Sequence, residues 1–225
     1  ASTDAGGEGG MLFETARHEA LAADPWDAGR VREAIGAMVA DIEGRVDPAS
    51  FWPIHPLDAL DDDPDWYKSL YLGAAGMLWA LHYLQREGAA RLTIDPAGMI
   101  GRVHVAYLES PDTQPVAPSY YLGEVGILLI LWRLTGDPAV ADRLHGAIRG
   151  NIANPTNEAL WAAPGTMVGA WHMHGWTGEE RWRELFLENV EQLWMTWLPS
   201  PHADGHLWTQ DLYGSIVQLL GAGHG

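Results

Sequence analysis

Apolar residues fall in blocks along the chain, and the blocks alternate with segments that are apolar on one face only. Tyr71-Leu72-Gly73-Ala74-Ala75-Gly76 opens an apolar run that lasts through Leu84. Tyr121-Leu122-Gly123-Glu124-Val125-Gly126 opens another, through Leu134, at an offset of 50 positions. A looser copy starts at Trp161-Ala162-Ala163-Pro164-Gly165-Thr166-Met167-Val168-Gly169 and runs on to Met173. Leu220-Gly221-Ala222-Gly223-His224-Gly225 opens a fourth at the end of the sequence. Runs that are apolar nearly all round belong to buried helices. Glycines at i and i+3 share one helical face and let another backbone come close. The repeat predicts inner helices over 73–84, 123–134 and 166–174, each beside the next.

Between the blocks lie amphipathic segments. Asp27 to Val46 sets Val31, Ile35, Met38, Val39 and Ile42 at helical spacing. Asp95 to Leu108 is a weaker example. Thr135-Gly136-Asp137-Pro138 starts a third, with Pro in the first turn, where its missing N–H is harmless. Thr177-Gly178-Glu179-Glu180 starts a fourth, extending to about Leu198. Acids at these starts suit the positive end of the helix dipole. The predicted order is outer, inner, outer, inner, and strand signals are scarce. The segments Asp47 to Asp65, Ser110 to Ser119 and Pro199 to Gln210 read as loops that precede inner helices. In a ring of hairpins such loops gather on one face, where a site is expected.

Composition narrows the function. Lys plus Arg is 13 against 30 Asp plus Glu, a formal charge of −17. That field repels phosphate backbones, so nucleic acid is not an expected partner. No apolar run approaches the roughly 20 residues of a membrane helix. There is no Cys, so disulfides and thiolate metal sites within the chain are ruled out, and a cytoplasmic location is the expectation. Residues 1–10 are Gly-rich and lack the pattern of a signal peptide. They read as a flexible leader or cloning remnant, with Met11 as a natural start and 11–225 as one domain. The 12 Trp suit either a helical core or an aromatic-lined cavity for a sugar or peptide. Neither a P-loop nor a Gly-x-Ser-x-Gly elbow occurs.

The Leu-Tyr-x-Gly-x-x-Gly opening, the Gly-x-x-Gly series, the Thr-Gly-acid junctions and the ending Gly221-Ala222-Gly223-His224-Gly225 resemble the lanthionine synthetase C-like (LanC-like) family over roughly 69–225. The resemblance implies an all-α fold, an α/α toroid of the six- or seven-hairpin type, with inner Gly-x-x-Gly helices and outer amphipathic ones. At about 50 residues per hairpin the chain would form an incomplete, open arc. Its last interface would expose apolar surface, to be covered by a second copy or a missing C-terminal half. The family's cyclases bind zinc in a central cavity and add a Cys thiol to a dehydrated Ser or Thr. Their zinc ligands, two Cys and one His, sit in later repeats than any present here. No cofactor is therefore expected in this chain, although zinc would belong to a longer parent. The cyclases also carry an Asp about four residues before an early Gly-x-x-Gly. Taking 166–169 as that motif in the third copy puts Ala162 at the acid's position.

Three residues are the candidates for chemistry. His224 matches the family's His near the zinc, a general acid or base there, and imidazole titrates in the range that role needs. Glu124, at an inner helix start, is either a cavity carboxylate or a first-turn acid stabilised by the helix dipole. Asp211, in Trp208-Thr209-Gln210-Asp211-Leu212-Tyr213, either orients His224 or acts as an N-cap. His172 and His174 are two apart, some 200° around a helix, and read as loop or core histidines. His202 and His206 flank Gly205 in a loop. Asp58, Asp61, Asp62, Asp63 and Asp65 read as a solvated acidic loop without EF-hand spacing.

Three functions are consistent with these residues. One is a LanC-like protein acting on a peptide held in the concave cavity. Another is a carbohydrate-active toroid, a glycosidase or epimerase with Glu124 and Asp211 as its acids. The third is a non-catalytic scaffold that binds a peptide or protein.

Overall fold

A computed structural model describes residues 25–225 apart from 58, 60–63, 202, 203, 222 and 225. The leader, Met11, His202 and most of the acidic loop read from the sequence lie outside these residues. Seven helices and four short strands occur among the described residues: α1 (Ala28–Gly44), α2 (Ala74–Arg86), α3 (Pro96–Glu109), α4 (Glu124–Thr135), α5 (Pro138–Gly150), α6 (Ala163–Thr177), α7 (Glu180–Met195), β1 (Trp197–Pro199), β2 (His206–Trp208), β3 (Gln210–Leu212) and β4 (Ser215–Val217). The all-helical expectation holds for the body of the chain.

The helix ends follow local chemistry. The Asp27, Asp95 and Asp137 carboxylates accept backbone N–H groups in the first turns of α1, α3 and α5. At the Thr-Gly-acid junctions, Thr135 and Thr177 each donate to the carbonyl four residues back, at 2.7 Å. Gly136 and Gly178 then take φ of 69°, the left-handed value that ends α4 and α6.

Two layers result. α4 lies between α2 and α6, and the outer helices α3, α5 and α7 pack along them. α4 is the central element: every residue from Glu124 to Leu131 is buried. Its Ile127, Ile130 and Leu131 meet Leu78 of α2 and Ile100, Val103 and Tyr107 of α3. Its Val125, Leu128 and Leu129 meet Leu144 and Ile148 of α5, Met173 of α6, and Trp182 and Leu185 of α7. The all-round hydrophobicity read from the sequence thus corresponds to a helix with neighbours on every side.

Four expectations need correction. The third inner helix starts at Ala163, because Pro164 occupies its first turn. The Asp95 segment is no weaker than its fellows, since α3 supplies three fully buried core residues. α7 stops at Met195 rather than near Leu198, because Trp197 enters a strand and stacks on Trp208, ring centroids 5.7 Å apart. Finally, the stretch around Pro199 to Gln210 is not a loop leading to a helix. It belongs to two antiparallel hairpins, β1–β2 and β3–β4. The second turns at Tyr213-Gly214, whose φ of 51° and 78° have the sign a two-residue hairpin turn requires. Asp211 sits on β3 and is not an N-cap.

The inner helices start in unusually tight surroundings. A Cβ on Gly76 would fall 2.1 Å from the Leu70 carbonyl oxygen, one on Gly126 2.1 Å from that of Tyr120, and one on Gly165 1.9 Å from that of Ala159. Each loop therefore folds back onto the start of its own helix, and only glycine leaves room. Gly126→Ala should destabilise the protein by roughly 1–3 kcal/mol or more, because backbone must move to admit the methyl group. Gly146→Ala, in the middle of α5 with nothing within 4 Å of the added carbon, should stabilise it by roughly 0.5–1 kcal/mol. Urea unfolding midpoints of the two variants should shift in opposite directions.

Candidate functional site

The loops that feed α2, α4 and α6 lie side by side. The Tyr71 N–H donates to the Tyr121 carbonyl at 2.9 Å, and the Ser119 hydroxyl donates to the Leu160 carbonyl. Asp112, from the second loop, accepts the N–H groups of Lys68 and Ser69, in the first, at 2.8 Å each. The Lys68 ammonium sits 3.4 Å from the other Asp112 oxygen, an ion pair with both side chains buried. Burial pushes the Asp112 carboxyl up, and its hydrogen bonds and Lys68 only partly offset this.

The three loops share one register. The residues that precede helical geometry are Gly73, Gly123 and Ala162, all with extended backbone. Four positions earlier stand Ser69, Ser119 and Glu158, all buried. Each accepts the N–H just before the cap: Ser69 from Leu72 at 3.4 Å, Ser119 from Leu122 at 2.8 Å, Glu158 from Trp161 at 2.5 Å. The third Gly-x-x-Gly equivalent is therefore 162–165, four residues earlier than the alignment on 166–169. Gly165, not Gly169, makes the backbone approach that Gly76 and Gly126 make. The position four before the motif consequently holds Glu158, not Ala162. Pro164 was the signal that could have set this register, because Pro marks the first turn of a helix.

Glu158 is also the partner of His224. The imidazole Nδ1 lies 3.1 Å from Glu158 Oε2, with the carboxylate fully buried and the imidazole 42% exposed. The same oxygen accepts the Leu160 N–H at 3.0 Å. The Ala159 N–H donates to the Gly223 carbonyl at 3.2 Å and anchors the segment that carries His224. A carboxylate facing Nδ1 holds the proton on that nitrogen and leaves Nε2 as the basic atom.

Asp211 does not serve as the orienting acid. Its side chain is exposed, and its backbone N–H donates to the Pro155 carbonyl at 3.0 Å. The β3–β4 hairpin is fixed to the third loop by further bonds, from Asn157 to the Thr209 carbonyl at 3.0 Å and from Trp161 Nε1 to the Tyr213 hydroxyl at 3.1 Å.

Glu124 is drawn between the outer helices. Its Oε1 accepts from His104 Nε2 of α3 at 2.8 Å and from Arg143 Nε of α5 at 2.5 Å. Burial raises its pKa, but the His104 and Arg143 bonds and charges outweigh burial and hold it low. Glu124 thus acts as a tie across α3, α4 and α5, and neither His104 nor Arg143 was singled out from the sequence.

The other histidines stand apart from this pair. His172 stacks on Trp176 at 5.3 Å, and burial holds its pKa down. His174 Nδ1 lies 3.2 Å from the Glu179 carbonyl, and His206 packs at the Trp197 ring. Among the described residues no three His, Asp or Glu side chains are placed to share a metal ion, and the chain has no Cys. The donor set of the cyclase zinc therefore does not fit this chain.

Glu124 makes the fold acid-sensitive in a defined way. Its folded pKa is depressed, so its contribution is present above the unfolded carboxylate value of about 4.3 and is lost as pH falls through the folded value. Glu124→Gln should cost about 1–3 kcal/mol at pH 7, and the gap from the parent protein should narrow in unfolding experiments carried below pH 4. A gap that is constant with pH would show that the carboxylate charge is not what ties the helices.

Compared with known proteins, the chain matches no family model, no curated protein and no solved structure.

Proposed function

We propose that this chain is a LanC-like helical domain, an arc of a toroid of helical hairpins, which holds a peptide at its loop face and uses His224, oriented by Glu158, to move a proton. The observation that carries the reading is the 3.1 Å contact between His224 and Glu158. It joins the Gly-x-Gly-His-Gly ending, the most specific piece of the resemblance, to a Glu four residues before the third inner motif, where the cyclases carry an Asp.

The chemistry follows from the geometry. When a thiol adds to a dehydrated Ser or Thr, a C–S bond forms at Cβ, a proton leaves sulfur and a proton arrives at Cα. An imidazole with Nδ1–H on a buried carboxylate presents Nε2 as a base, and as an acid once protonated. His224 is exposed enough to reach a ligand, while Glu158 is saturated by two backbone N–H groups and cannot drift. The thiol-activating thiolate ligands of the resembled cyclases have no counterpart here, so no step is assigned to a metal. The glycosidase reading lacks comparable support: Glu124 is consumed by His104 and Arg143, and Asp211 has separate surroundings on β3.

The test is binding and metal content. A linear peptide with one dehydroalanine and one Cys should bind, shift the His224 ring signals in NMR, and do so less in Glu158→Gln. Purified protein should hold well under one equivalent of zinc. Binding that leaves the His224 signals unmoved would overturn the reading. So would a full equivalent of zinc that disappears in His224→Ala, because His224 would then be a metal ligand.

A further inference from the structure

A cavity of about 120 Å³ opens between the three inner helices. It shares no residue with the His224–Glu158 pair. Trp79 of α2, Trp176 of α6, Leu70 and Tyr120 line it, and Arg133 of α4 and His172 of α6 supply charge and ring nitrogens. Tyr120 packs along α6 at its two glycines, in van der Waals range of a Cβ at either: 3.5 Å at Gly165 and 4.0 Å at Gly169.

The charge of this cavity is unlike that of the chain. The protein carries a formal −17, yet no carboxylate lines the cavity. The Arg133 guanidinium lies 4.9 Å over the Trp176 ring. Trp132 lies parallel to that ring at 5.9 Å, and His172 stacks on it at 5.3 Å. Among the described residues no carboxylate pairs with Arg133. Its charge is instead felt by His82, whose pKa is held down by burial, then by Arg86 and Arg133. Tyr120 stays a protonated phenol, pushed up to about 12 by burial and by Tyr121. An unpaired guanidinium seated on tryptophan, a neutral imidazole and a phenol thus converge on an apolar space.

We infer that this cavity is a binding site for a small organic carboxylate with a compact apolar body, such as a single aromatic ring or a branched alkyl group. An enclosed apolar cavity of about 150 Å³ holds a benzene ring. This one, at about 120 Å³, is smaller but partly open to solvent, so it takes most of such a body and leaves the carboxylate at its mouth. The flat faces of the body meet Trp79 and Trp176. The carboxylate meets the fork of Arg133, which is matched to that group in shape and charge. Phosphate-sized dianions lack the apolar body, and cations meet the wrong sign.

The experiment is calorimetric titration of the whole chain with phenylacetate and with phenylacetamide, its uncharged isostere. Phenylacetate should bind saturably, and the amide about tenfold more weakly or worse. Arg133→Gln should bring the acid down to the level of the amide. Arg133 is exposed, so that variant should keep the parent's circular dichroism, and Arg133→Lys should recover part of the lost affinity. Trp176→Leu should weaken acid and amide together. Equal affinity for acid and amide, no saturable binding of either, or an Arg133→Gln variant that binds phenylacetate as the parent does would each overturn the inference. A peptide ending in Phe that binds only with a free carboxylate would show that the same site takes chain ends. Failure here would leave the His224–Glu158 reading untouched, because the two sites have separate residues and separate ligands.

Discussion

The start of each inner helix runs against the carbonyl of its own incoming loop, six residues before the glycine that permits the approach. At Gly76, Gly126 and Gly165 an added carbon would overlap that oxygen outright. This constraint decides more than three local turns. It presses each loop flat on its helix, so the next loop can bond to it, as Tyr71 does to Tyr121 and Ser119 does to Leu160. The loop face is thereby a hydrogen-bonded surface, and the residues four before each cap are fixed in space.

Against that frame the buried polar groups divide into two kinds. Ser69 satisfies a backbone N–H, and Ser119 satisfies one and donates to the Leu160 carbonyl; both are neutral and bond only to backbone. Glu158, in the same register, satisfies two and also faces an imidazole. A carboxylate buried to this degree needs several donors to remain stable, and it has them. Glu124 meets the same need through His104 and Arg143, on the outer side of the same layer. Burial costs both acids alike, but one stands at the loops and the other ties outer helices, so their uses differ.

The inner helices also present a second surface, the one that holds Arg133 and the stacked tryptophans. Aromatic residues spread along the sequence gather there: Trp79 and Trp176 line the cavity from α2 and α6, and Trp132 of α4 stacks on Trp176. A tryptophan stack holds a guanidinium without neutralising it, which leaves charge available to a ligand in a chain that is otherwise strongly acidic.

Much was legible in the sequence because it rests on local chemistry. The Gly-x-x-Gly series marked α2 and α4, the Asp and Thr-Gly punctuation marked helix ends, and all-round hydrophobicity marked α4 as central. These signals act within one or two turns, so they survive without knowledge of neighbours. The partners of the site did not survive in that form. His224 was visible through its motif, but its acid was not, because Glu158 lies 66 positions away and the loose third repeat misled the register by four residues. Glu124 read equally well as a site acid or a capping acid until α3 and α5 brought His104 and Arg143 against it. The C-terminal hairpins depended on Tyr213 accepting a left-handed backbone beside Gly214, a choice stabilised by docking on the third loop. Periodicity and caps, being local, were the sequence's to determine. Which charges meet was decided by tertiary structure, since a carboxylate acquires its role from whichever donors packing places within about 3 Å.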